Sequence, residues 1–160
     1  MPKSRRAIEI MDTTLRDGEQ TRGVSLSPEE KLTIAQLLLD GLRVDRIEVA
    51  SAKVSPGEQQ AVATIMRWAD SVGKGGRVEC LGFTDHKASV DWLLAAGCRA
   101  MNLLTKGSLR HLEGQLRKTP HKHMADIAAT VEYATQQGVE VNVYFEDWSN
   151  GALQSPEYVD

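Results

Sequence analysis

Short apolar segments alternate with longer amphipathic ones along the whole chain, and this alternation narrows the fold more than any other feature. Residues 7–12, 46–50, 78–82, 100–104 and 139–146 read as strands, each a short aliphatic run bounded by turn residues. Between them lie helix signals. Ser27, Pro28 and Glu30 form a capping box at N-cap, N1 and N3, and Leu32, Ala35, Leu38 and Leu39 supply the apolar stripe that Gly41 should end. Residues 56–71 follow, with Val62, Ile65, Met66 and Ala69 inward and Gly73, Gly75 and Gly76 as breakers. Residues 85–96 stop at Gly97, and Thr119-Pro120 opens a helix that ends near Gln137-Gly138. The stretch between residue 104 and that helix reads as a polar loop, and Ser155-Pro156-Glu157-Tyr158 as a further N-cap.

Five strand–helix units with right-handed crossovers make a parallel sheet covered by helices. Eight such units close a barrel of roughly 250 residues. The expectation is therefore an α/β chain forming about five βα units, the N-terminal part of a (β/α)8 TIM barrel. Residues 1–160 would be the N-terminal portion of a single catalytic barrel domain, cut before its later strands. The rival is a complete doubly wound sheet of five strands.

Composition sets the outer limits. The 160 residues carry a formal net charge of -3, with 41% hydrophobic and 26% charged residues, which suits a packed globular domain and gives nucleic acid no basic surface to read. No apolar run approaches a membrane span, and the basic start has no apolar segment behind it. Cys80 and Cys98 lack disulfide-framework or metal-ligand spacing and sit in apolar surroundings, so they read as buried thiols in a cytoplasmic protein.

The chemistry concentrates where strands end. Asp12-Thr13-Thr14-Leu15-Arg16-Asp17-Gly18-Glu19-Gln20 follows the first strand directly. In a barrel the C-terminal strand ends meet at one mouth. That gathers Asp12, Arg16, Asp17, Glu48, Ser51, Asn102, Thr105, Glu146 and Asp147 around an apolar wall of Leu81, Leu104 and Tyr144. Carboxylate beside arginine suits a divalent cation next to a developing oxyanion, and the mixed mouth suits a small, partly apolar anionic substrate. Taken singly, Leu81 and Leu104 read equally as strand core, and Glu146 as a solvated residue before a turn. His121-Lys122-His123 falls at a helix start, where i and i+2 side chains diverge, and is not read as a metal pair. His86 and His111 have no evident partner in the sequence, and Trp68 and Trp92 fall on apolar helix faces.

The run from Asp12 to Thr21 resembles the signature of the metal-dependent Claisen-condensing barrel family, which holds 2-isopropylmalate, homocitrate and (R)-citramalate synthases and, more distantly, hydroxymethylglutaryl-CoA lyase and pyruvate carboxyltransferases. The segments 46–51, 102–108 and 143–150 extend the resemblance over nearly the whole chain, and the last two look most like the citramalate branch. The resemblance implies an acyltransferase condensing acetyl-CoA with a small 2-oxo acid. Pyruvate is favoured over the 2-oxoisovalerate of the isopropylmalate branch, in isoleucine or leucine biosynthesis. It implies Asp17 as ligand of a divalent cation (Mg²⁺, Mn²⁺ or Zn²⁺). Arg16 would bind substrate and stabilise negative charge, and Glu146 would position and activate the acetyl thioester. Leu81, Leu104 and Tyr144 would line the pyruvate pocket. A homodimer is the implied state at full length. The family's His-x-His pair on a later strand has no counterpart in this chain, so the chain alone is expected to be inactive, with an unpaired sheet edge. A superfamily lyase and a non-catalytic half-barrel module are the other readings.

Overall fold

The computed structural model describes residues 8–159. Five strands, β1 (Met11–Asp12), β2 (Arg46–Ser51), β3 (Val78–Phe83), β4 (Ala100–Lys106) and β5 (Glu140–Glu146), lie in the order β1-β2-β3-β4-β5. Every neighbouring pair is parallel. A doubly wound sheet would reverse its strand order partway across. Here the order never reverses, and the strands curl into a half-barrel with the helices outside.

Those helices are α1 (Pro28–Gln36), α2 (Pro56–Ser71), α3 (Ala88–Ala95), α4 (Leu109–His111), α5 (Pro120–Gln136), α6 (Trp148–Gln154) and α7 (Pro156–Val159). The Ser27–Glu30 capping box forms as the sequence predicts, and Ser55 and Thr119 cap α2 and α5 ahead of Pro56 and Pro120. Alternate strand residues Ile47, Val49, Val78, Cys80, Met101 and Leu103 face the helices, where Ala35, Leu39, Val62, Ile65, Met66, Ala69 and Leu93 meet them. Cys80 and Cys98 are both free and buried. Trp68 and Trp92 pack partly buried against this core.

Several boundaries differ from expectation. The first strand is regular only over Met11–Asp12, where it pairs with Arg46 and Ile47 of β2; Ala7 lies outside the described residues. Helical backbone runs through Gly41 in a wide turn, Leu37–Leu42, and Arg43 closes it with φ 59. Leu32 is half-buried, and the inward place in that turn goes to Lys31. Helix α3 starts at Ala88, later than residue 85, with Lys87 at its N-cap, and the Asp85 carboxylate ahead of it accepts from Ser89 N and Oγ. The polar loop after β4 is largely helical, through α4 and a wide turn Leu112–Leu116. Helix α6, unread in the sequence, fits against the exit of β4 because Gly107 and Gly151 meet without side chains. A Cβ on Gly151 would lie 1.8 Å from the Gly107 oxygen.

Candidate active site at the barrel mouth

The inner face of the sheet is polar and ionic. From β2 come Arg46 and Glu48, from β3 Glu79, from β4 Asn102 and from β5 Asn142, joined end to end. Asn102 Nδ2 donates to Glu48 Oε1 (2.7 Å), and Asn142 Nδ2 donates to Asn102 Oδ1 (3.2 Å) and Glu79 Oε2 (3.1 Å). Arg46 Nη1 donates to Glu79 Oε1 (2.6 Å) and Arg46 Nε to Glu9 Oε2 (2.9 Å). Both Glu48 and Glu79 are 0% exposed. A buried carboxylate persists only when paired, and each has an arginine and an amide.

The upper end of this ladder is Arg16. Its Nε donates to Glu48 Oε2 (2.5 Å) and its Nη1 to Asp17 Oδ1 (2.9 Å). The turn carrying it is tight: Thr13 O accepts from the amides of Arg16, Asp17 and Gly18, and buried Leu15 pins it to the core. Asp12 Oδ1 is engaged locally, accepting from Thr14 N (2.9 Å). Buried Lys31 reaches Glu19 Oε2 (2.5 Å) and also binds Glu58, tying the loop to α1 and α2.

Above the ladder opens a cavity of about 770 Å³. Arg16, Asp17, Leu81, Leu104, Tyr144 and Glu146 all line it. Parallel register explains the apolar wall: Phe83, Leu104 and Tyr144 sit at one level across β3, β4 and β5. A bulge in β2 lets it advance three residues, from Glu48 to Ser51, while β3 advances two, from Glu79 to Leu81, and delivers Ser51 to the same cavity beside Leu81. Tyr144 donates to Met11 Sδ (3.0 Å); burial first, then the charges of Glu48 and Glu79, push its phenol up to about 12, so it stays a neutral donor.

Further lining residues are Gln20, Phe83, Val143 and Phe145. Phe83 was within reach of the sequence, since period-two alternation from Leu81 leads to it once β3 is extended by one residue. Lys106 needed β4 to run two residues past Leu104. Its side chain is largely covered at the strand end, and its ammonium binds Glu146.

The histidines sort differently from the sequence reading. His123 is buried and accepts Lys106 N–H at Nε2 (3.1 Å), while His121 is exposed, so the two do diverge. Burial, and then Lys118, holds the His123 imidazole below its ordinary value. Of His86 and His111, both without evident partners in sequence, His86 has a hydrogen-bonded one, whereas His111 only stands near two carboxylates and its buried Nδ1 has no hydrogen-bond partner. His86 Nε2 meets Asp126 Oδ1 (2.8 Å), and His111 lies 3.9 Å from Glu146 and 3.5 Å from Asp147.

For a divalent cation the chain offers Asp17, whose side chain is 62% exposed. Among the described residues no three or more His, Cys, Asp or Glu side chains are grouped to share an ion. Asp17 therefore fits as one oxygen ligand and not as a closed shell.

Known proteins are similar on the same ground. A putative (R)-citramalate synthase of Methanothermobacter thermautotrophicus is 38% identical over 141 residues, 88% of this chain and 27% of that protein. A homocitrate synthase of Methanopyrus kandleri is 41% identical over 152 residues, 95% of this chain and 37% of that protein. A 2-isopropylmalate synthase of Pyrococcus furiosus is 39% identical over 145 residues, 89% of this chain and 28% of that protein. The chain thus spans less than two-fifths of the length of these relatives. The crystal structure of the HMG-CoA lyase of Bacillus subtilis shares the fold, with a TM-score of 0.63 at 20% identity over 88% of this chain and 47% of that one. The profile of the HMGL-like family matches residues 7–155, and with relatives this similar over most of its length, the chain belongs to that family.

Proposed function

We propose that this chain supplies the acceptor-binding half of an active site that condenses acetyl-CoA with a small 2-oxo acid. The observation that carries this reading is the cavity at the strand ends that Arg16 shares with Leu81, Leu104 and Tyr144. There an arginine braced by a buried glutamate faces an apolar wall sized for a short side chain. The citramalate, isopropylmalate and homocitrate synthases among the relatives support a synthase of this kind, and we assign it to amino-acid biosynthesis. Pyruvate is the favoured acceptor, because Leu81, Leu104, Phe83 and Tyr144 crowd the wall; 2-oxoisovalerate is the alternative. Residues 1–160 act as one portion of a single barrel domain, in keeping with the share of each relative that they match.

The residues divide the work as follows. Arg16, permanently charged, binds the acceptor's oxygens and stabilises negative charge as it gathers there. Glu48 fixes the plane of that guanidinium through Nε, leaving the outer nitrogens for Asp17 and the ligand. Glu146 orients the acetyl thioester and receives the methyl proton. Tyr144 and the leucines exclude water from the acceptor's methyl end. A divalent cation would take Asp17 as its ligand from this chain and would polarise the keto group.

The test is CoA release by the full-length protein, followed as free thiol, with pyruvate and with 2-oxoisovalerate. Pyruvate-dependent release supports the proposal. Cleavage that generates acetyl-CoA would instead assign a lyase, and no turnover in either direction would leave a binding module. Leu104→Ala should shift preference toward 2-oxoisovalerate by about 10- to 200-fold, and an unchanged ratio would remove the leucines from the acceptor pocket.

A further inference from the structure

Glu146 does not stand alone at the end of β5. Lys106, its register partner on β4, directs its ammonium onto Glu146 Oε2 and donates as well to Gln115 Oε1 (2.7 Å). The Lys106 side chain is only 9% exposed, against 38% for Glu146. Its main chain is clamped from both sides. The amide donates to the buried His123 Nε2 (3.1 Å), and the carbonyl accepts from Tyr158 Oη (2.8 Å). Gly107 N then donates to Glu146 O (2.7 Å), locking the two strand ends together. Among the described residues the only other basic side chain within 4 Å of the Glu146 carboxylate is the imidazole of His111, 3.9 Å away. Lys106 itself lines no part of the cavity, whereas Glu146 does.

An ion pair of this kind on a solvated surface is worth little. This one is different in construction: a nearly buried ammonium, fixed at its head by an amide and along its backbone by two side chains from α5 and α7. It meets a carboxylate that still reaches open cavity. We propose that Lys106 is a positioning residue that holds the Glu146 carboxylate toward the acetyl thioester, with His123 and Tyr158 fixing Lys106 in turn. The inference rests on the role given to Glu146 above. Without Lys106, the half-exposed carboxylate would rotate toward solvent, and catalysis would fall while acceptor binding, which uses Arg16 and the apolar wall, would not.

The experiment uses the full-length protein with Lys106→Met, which keeps the buried stem, Lys106→Arg, Glu146→Gln and the Lys106→Met/Glu146→Gln pair. Fold is checked by circular dichroism, and CoA release is measured at varied 2-oxo acid. Lys106→Met should lower kcat by about 10- to 100-fold with KM for the acceptor changed less than about threefold. Lys106→Arg should recover part of the loss. In the Glu146→Gln background, the same Met substitution should cost less than about twofold, because residues acting through one another are not additive. An equal loss in both backgrounds, or an undiminished kcat in Lys106→Met, overturns the positioning role while leaving the enzyme reading intact. Absence of turnover in the wild-type protein with every acceptor overturns both.

Discussion

The two faces of this sheet are built from opposite chemistry. On the outer face Ile47, Val49, Met101 and Leu103 pack on helices as an apolar layer. On the inner face Arg46, Glu48, Glu79, Asn102 and Asn142 form a continuous polar ladder. Adjacent residues of one strand, Ile47 and Glu48, are both 0% exposed and serve the two purposes separately. The outer layer gains stability from area removed from water. The inner ladder loses desolvation energy and regains it only when every partner is present. What the ladder contributes is placement: it ends in Arg16, and so aims a cation at the cavity.

The sharpest way to break this contrast is to remove one member from each side. Glu48→Ala should destabilise by about 3–5 kcal/mol, leaving the Arg16 guanidinium without its buried partner. Chemical denaturation should show this, together with a loss of CoA release; a stable and active variant would mean that the ladder places nothing. Leu103→Ala should cost about 2–5 kcal/mol through transfer and cavity terms, with kcat per folded molecule unchanged. A fall in kcat beyond the unfolded fraction would show that the two faces are not separate. Arg16→Ala should show both losses: kcat per folded molecule lower by about 10²- to 10³-fold, and stability lower by about 3–5 kcal/mol because the buried Glu48 carboxylate loses its arginine.

The acid side of the stability curve sharpens the comparison with a milder effect. Asp126 on α5 accepts from Lys118 first, then Lys122 and His86, and these hold its carboxyl well below the usual carboxylate range. A depressed carboxyl contributes stability above its unfolded value near 3.8, lost as pH falls further. Asp126→Asn should therefore lose about 1–3 kcal/mol at neutral pH and flatten the acid limb. His123 has the smallest effect. Its folded value lies below 6.5, so as pH drops below 6.5 the unfolded chain takes up the proton first and stability declines. Protonation also requires Nε2 to release Lys106 N–H. His123→Gln should remove that pH dependence between about 6.5 and 5, and an unaltered profile would place the transition elsewhere.

Much of the architecture was legible because local signals agree with the global fold. Ser27, Ser55 and Thr119 with their following prolines fix three helix starts, and aliphatic runs fix four strands. The strand ends were less so. Extending β3 to Phe83 and β4 to Lys106 depends on pairing with a neighbouring strand, and pairing is not a local property. Helix α6 escaped because its fit depends on Gly107 and Gly151 meeting across a gap in sequence. The six proposed site residues could be named from strand-end positions and the Asp12–Thr21 signature, since parallel strands point their ends one way. Glu48 as the brace of Arg16 and Lys106 as the brace of Glu146 could not.

By itself the sequence determined the βα rhythm, the helix caps, the alternation that divides inner from outer residues, and the signature turn after the first strand. These depend on propensity and period, which act over a few residues. Tertiary structure alone decided the uniform strand order, the bulge that delivers Ser51, and the ionic contacts that tie residues 32 and 40 positions apart, Arg16 to Glu48 and Lys106 to Glu146. Such contacts form only once the sheet has curled. A charge can be buried only where its counter-charge has already been brought, and that meeting place is a property of the closed surface rather than of any segment.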